Sequence, residues 1–193
     1  MSAIRLIRHR DLKPTPWKNG GGETREIAAF PPGAGLEDFV WRISMATVAS
    51  DGPFSAFPGI DRVLTVVDGD GIDLMVDGIS RTLTPNDPPF AFAGDAPAAA
   101  RLIGSVVTDI NVMTRRGRCT ARVSVLSGQE ALVTSQDEVV ILLSRSDGLE
   151  VIAEGQQLRL DRFDSLIGGA GTYRLEAGSK AADALVIELK IAD

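Results

Sequence analysis

The sequence predicts an all-β protein built as two tandem small barrels. Three observations predict it: helical signals are scarce, short Val-, Ile- and Leu-rich runs alternate with Gly and Pro turns, and one such pattern occurs twice. The 20 Gly and 10 Pro are spread along 193 residues, which suits many short strands better than long helices. The expected strands of the first half are 4–9, 24–29, 39–47, 62–67, 72–76, 80–83, 101–107 and 110–114. Those of the second half are 119–126, 131–134, 138–144, 149–153, 156–160, 165–167, 172–175 and 184–190. Asp68-Gly69, Asp77-Gly78, Asp147-Gly148 and Glu154-Gly155 place Gly where a tight hairpin needs positive φ.

The repeat is read from two stretches that align without a gap, RVLTVVDGDGIDLMVDGISRTLTPND and VVILLSRSDGLEVIAEGQQLRLDRFD. Gly71, Gly78 and Asp87 fall on Gly148, Gly155 and Asp164, each displaced by 77 residues. Three turn residues in register make a duplication the natural explanation, and the period is too long for a solenoid or propeller. The expected division is residues 1–116, a barrel with a candidate ligand pocket, and residues 117–193, a degenerate second barrel.

The repeated unit (apolar strand, Asp-Gly turn, two alternating strands, then Asp) resembles the central hairpin and Gly-Asp turn of the cupin family. Asn86-Asp87 and Phe163-Asp164 stand where Gly-Asp is usual. The resemblance implies double-stranded β-helix, or jelly-roll, barrels. Counted back from Gly69, the family's first metal-ligand positions hold Ser55, Phe57 and Arg62, and the later one, counted from Asn86 through Gly94, holds Pro97. The same offset gives Leu132, Thr134, Val139 and Arg174 in the second copy. Zinc or non-haem iron needs converging imidazoles and carboxylates, and the chain's one histidine is His9. No metal and no cofactor are expected.

The net charge of −6 argues against a nucleic-acid partner, whose affinity needs a basic footprint. No apolar stretch approaches a membrane span. The start, MSAIRLIRHRDL, lacks the apolar core of a signal peptide. Cys119 is the single cysteine, which fits a reducing compartment. The expected location is the cytoplasm, with no membrane partner, and a homodimer is left open.

Three longer segments carry a narrower resemblance: WKNGGGETREI (17–27), WRISMATVASDGPFSAFPGIDR (41–62) and DINVMTRRG (109–117). They are similar to the HutD/Ves family. That resemblance implies a two-cupin chain, a link to bacterial histidine utilisation, and binding of a small metabolite of that pathway as a means of controlling it.

Strand alternation selects a candidate pocket. Arg42, Ser44 and Ala46 share one face of their strand, and Asp109, Asn111 and Met113 share a face of another. Ser55, Phe57 and Arg62 join them through the metal-ligand register. Arg in place of a ligand Glu reverses the local charge, so a small anionic carboxylate is the expected guest, held through the guanidinium fork. A buried pair of Arg62 with Asp61 or Asp109 is the competing reading. Asn19, Gly20 and Gly21 open a Gly-rich run whose amides are candidates for an anion nest. Trp17 and Trp41 read as packing residues, and Arg115, Arg116 and Arg118 as a solvated inter-domain loop or an anion guide.

A metal-free bicupin that binds a regulatory carboxylate, with urocanate or N-formylglutamate as candidates, is therefore the favoured function. No catalytic residue is assigned. The alternatives are a metal-independent isomerase or hydrolase, which would need a buried Asp with a raised pKa, and an oligomerisation scaffold.

Overall fold

The structure is a computed structural model that describes residues 4–177 and 181–192. Among these residues the chain forms nineteen strands and one 3-10 turn, His9–Asp11. The first eleven strands are β1 (Arg5–Ile7), β2 (Pro14–Pro16), β3 (Gly22–Phe30), β4 (Trp41–Val48), β5 (Gly52–Pro53), β6 (Ile60–Asp68), β7 (Ile72–Val76), β8 (Ile79–Leu83), β9 (Phe90–Ala93), β10 (Ala98–Leu102) and β11 (Val107–Arg115). The remainder are β12 (Cys119–Gly128), β13 (Glu130–Ser135), β14 (Val139–Ser144), β15 (Leu149–Ala153), β16 (Gln156–Leu160), β17 (Ser165–Gly168), β18 (Gly171–Glu176) and β19 (Ala182–Ile191).

Three strands escape the sequence pattern. β2 and β5 contain Pro and lie at sheet edges, where a missing N–H is tolerated. β9, Phe-Ala-Phe-Ala, follows Pro88-Pro89 and pairs only with β6. The expected strand over 101–107 is displaced: β10 ends at Leu102, and Ile103–Val106 is a turn before β11.

The strands divide into two compact units. The first unit is Leu12–Cys119; the second joins the segment through Asp11 to the chain from Thr120 onward. This corrects the expected division at 116/117 in two respects. The break falls at the end of the turn that Arg118 closes by donating its amide to the Arg115 carbonyl. Moreover, β1 belongs to the second unit, pairing antiparallel with β17 (Arg5↔Ile167 to Ile7↔Ser165). Ile4 and Leu6 pack on the second core, and β1 covers an otherwise open edge of β17. The ends of the expected segments, residues 1–3 and 193, lie outside the described residues.

Each unit consists of two antiparallel sheets. In the first, a six-stranded sheet (β2-β3-β4-β11-β6-β9) accompanies a four-stranded one (β5-β10-β7-β8). In the second, β1-β17-β14-β19-β12 accompanies β13-β18-β15-β16. The pairings do not run on from one sheet to the other, so neither unit is a hydrogen-bonded closed barrel among the described residues. The two sheets of the first unit share one core, with Leu64 and Val66 from one and Ile72, Leu74, Leu83 and Ala100 from the other. The second core is built likewise from Val140, Leu142 and Val186 against Leu149, Val151, Leu160, Tyr173 and Leu175.

The repeat recurs in the backbone. β7 and β8 map onto β15 and β16 at an offset of 77, with Ile72↔Leu83 matching Leu149↔Leu160. Asp77 and Glu154, at the turns between them, both have φ near +50° and are each followed by a positive-φ Gly. The gap-free alignment does not extend to β6. Inner-face residues Leu64 and Val66 correspond to Val140 and Leu142, an offset of 76, and their partners agree: Leu64↔Asn111 and Val66↔Asp109 against Val140↔Glu188 and Leu142↔Val186. The extra residue lies in the β14–β15 turn, residues 145–148, against residues 69–71 between β6 and β7.

Candidate functional site

β11 lies between β4 and β6, and the register puts one row of inner-face side chains on each strand. Arg42, Met113 and Arg62 form one row across the sheet, Ser44, Asn111 and Leu64 the next, and Ala46, Asp109 and Val66 the third. Phe92 of β9 stands opposite Arg62 and ends the first row.

Arg62 is 4% exposed. Its guanidinium lies over three rings, 5.1 Å from the centroid of Phe54, 5.6 Å from Phe57 and 5.0 Å from Phe92. Such contacts stabilise a desolvated cation while leaving its in-plane N–H groups available. Nε donates to Asn111 Oδ1 at 3.3 Å, and Nη1 to the Ser55 carbonyl at 3.4 Å. Burial pulls the guanidinium down to about 10, against a smaller upward pull from Asp109, so it stays charged at neutral pH.

Asp109 is 1% exposed. Burial pushes its carboxyl up to about 7, opposed by the attraction of Arg62. Its Oδ1 has no hydrogen-bond partner. The two charged groups interact through space rather than through a direct salt bridge. The competing pair with Asp61 is overturned: Asp61 accepts from Arg116 at 2.8 Å.

The other expected site residues separate into two groups. Arg42 and Ser44 share the inner face, but Arg42 is committed, donating from Nε to Glu26 at 2.8 Å and from Nη1 to Ser44 Oγ at 3.1 Å. Met113 packs with Phe39, Ile60 and Phe57 in a small apolar cluster. Ser55 contributes its carbonyl, since the residue is exposed, and Pro97 is exposed outside the cage. The Gly-rich run is not a free nest: Gly20 N–H donates to the Trp17 carbonyl and Gly21 N–H to Asn19 Oδ1. Its glycines permit close packing instead, because a Cβ on Gly22 would collide with the Thr47 carbonyl oxygen and lie 3.1 Å from the Trp17 ring.

Arg116 and Arg118 lie exposed in the turn before the boundary of the two units, as a solvated loop requires, while Arg115 and Arg116 are also engaged. Arg115 donates to the Phe39 and Glu37 carbonyls, and Arg116 pairs with Asp61 and Asp95. Phe54 and Phe92 were missed by the sequence reading. Phe54 precedes Phe57 by three residues, and the Phe90/Phe92 alternation was the signal for a ring on the inner face.

In the second unit the positions equivalent to Arg62 and Asn111 are filled differently. With the offset of 76 on β6, the residue equivalent to Arg62 is Glu138 rather than Val139, and Asn111 corresponds to Glu188. Glu188 is buried and paired with Arg122 at 2.7 Å, while Glu138 Oε2 accepts the Ile191 amide. The guanidinium cage is therefore not repeated there.

Residues 9–186 match the HutD family model. The chain belongs to the HutD family. A 21.2 kDa protein in the hutC 3' region of Pseudomonas putida is 39% identical over 87% of this chain and 92% of its own length. Protein Ves of Citrobacter koseri is 42% identical over 69% of this chain and 71% of that protein. The structure of HutD from Pseudomonas fluorescens SBW25, in a formate condition, superposes with a TM-score of 0.86 at 35% identity, covering 99% of this chain and 100% of that one. The HutD fold extends to more distant proteins: a cupin 2 conserved barrel domain protein from Leptotrichia buccalis matches with a TM-score of 0.61 at 11% identity, covering 98% of each chain. That likeness is one of fold alone.

Proposed function

We propose that the first unit binds a small anionic carboxylate metabolite at Arg62, and that this binding serves the control of histidine utilisation. One observation carries the reading: a buried guanidinium, covered on its faces by phenyl rings, that has no direct carboxylate partner among the described residues. An unpaired cation in such surroundings is costly, and a carboxylate accepting from its edge relieves that cost. The hutC-region setting of the Pseudomonas putida relative supports the pathway, in which urocanate and N-formylglutamate are suitable anions. In this reading both units are cupin barrels, the second retaining only the architecture, and the protein works in the cytoplasm.

Calorimetric titration of urocanate, N-formylglutamate, glutamate and histidine tests it. One of the anions binds below millimolar, and Arg62→Ala abolishes the heat. Failure of all four, with Arg62→Ala indistinguishable from the parent, rejects a carboxylate pocket.

A second reading has its own support. A buried carboxyl raised to about 7 is poised for proton transfer near neutrality, as a metal-independent isomerase or hydrolase requires. NMR of a bound compound would then reveal turnover that Asp109→Asn removes while binding persists.

A further inference from the structure

Asp109 Oδ1 presents a separate problem of hydrogen bonding. Its side chain points to the inner face, yet its direct cross-strand neighbours there are Ala46 on β4 and Val66 on β6, neither of which has a side-chain donor. The next residue on the same face, Asn111, already directs its oxygen at Arg62. Arg42, the other cation of this face, is held by Glu26 and Ser44. The sheet thus places a buried acceptor beside the caged guanidinium, and among the described residues no group donates to it. A buried acceptor without a donor is destabilising, and strand spacing sets it about 7 Å along β11 from the Asn111 position that Arg62 reaches.

We propose that the guest bound by Arg62 carries an N–H or O–H donor a few bonds from its carboxylate, and that Asp109 Oδ1 receives that donor. The ligand class is narrowed from small carboxylates in general to amido- or hydroxy-carboxylates. Arg62 recognises the anionic end, while Asp109 discriminates among anions by the second group. This rests on the carboxylate reading of Arg62 and adds to it a specificity-determining residue.

The test compares amides with their ester isosteres, which differ chiefly by the donor: N-acetylglycine against acetoxyacetate, and N-acetyl-β-alanine against 3-acetoxypropanoate. Titration of the full chain should show at least one amide binding about tenfold or more tightly than its ester. Asp109→Leu should bring that ratio close to one while ester affinity stays within about threefold, because only the donor contact is lost. Arg62→Met should remove binding of both members. Should Asp109→Leu fail to fold, Asp109→Asn keeps the shape with a weaker acceptor and should shrink the ratio to a few fold.

Equal binding of amide and ester by the parent, or tighter binding of the ester, overturns the donor inference and leaves the carboxylate reading standing. A ratio that survives Asp109→Leu overturns it as well. If no member of either pair binds, the donor inference falls, and titration of the four compounds named above decides separately whether the carboxylate reading stands.

Discussion

Burial drives the Asp109 carboxyl up to about 7, and the Arg62 guanidinium opposes that rise without cancelling it. In the unfolded chain the same group titrates near 3.8. Between those values the folded protein keeps a proton that the unfolded chain releases, so this residue makes stability fall as pH rises from about 4 to about 7. The full effect is of order 4 kcal/mol and levels off once the folded carboxyl ionises too. Asp109→Asn should therefore be the more stable protein at pH 8 and lose that advantage at pH 4. Urea unfolding of both proteins at the two pH values checks it, and a constant difference would mean that Asp109 ionises normally. Arg62 was legible as a pocket residue because the family register singled it out. The pairing with Asp109 was legible as one of two alternatives beside Asp61, but the missing donor at Asp109 was not, because it depends on Ala46 and Val66 being its cross-strand neighbours, and sequence alternation assigns faces without assigning partners.

At the scale of elements, the duplicated turn shows how similar motifs acquire different weight. Asp87 caps its own turn, accepting from the Thr84 amide at 2.8 Å and the Thr84 hydroxyl at 2.6 Å. Asp164 does the equivalent for Asp161 but also accepts from the His9 amide at 2.8 Å and from Arg8 Nη1 at 2.6 Å. Burial pushes Asp164 upward, and the donors outweigh it, holding the carboxyl below its usual range. Asp164→Ala should cost about 3 kcal/mol and Asp87→Ala clearly less, because the first leaves several donors and a cation without their acceptor. Equal losses in denaturant titrations would mean that the contacts with Arg8 and His9 contribute little. The matched turns were legible because Gly71, Gly78 and Asp87 are chemically constrained. The slip from 77 to 76 was not, since one extra turn residue leaves the apolar pattern of β14 readable in either register. Only the pairing with β19 decides between Val139 and Glu138 as the counterpart of Arg62.

For the whole molecule, the all-β class follows from strand-sized runs, whereas the exchange of β1 into the second unit does not. Arg5–Ile7 reads as a strand in isolation, but its partner lies some 160 residues away, and nothing local specifies β17 over its first-unit counterpart β9. The edges explain the choice in retrospect. β9 is short, follows Pro88-Pro89 and ends before Gly94, features that discourage a further strand. β17 lacks Pro, and β1 adds three ladder pairs there while Ile4 and Leu6 reach the second core. Deleting residues 1–8 should therefore weaken the second unit by about 2–4 kcal/mol, the sum of a lost ion pair, ladder bonds and apolar contact. Amide exchange should accelerate in β17 and β14, while β6 and β11 keep their protection. Uniform acceleration across both units would mean that they open as one cooperative block, and unchanged exchange in β17 would mean that β1 only rests on an edge that is stable without it.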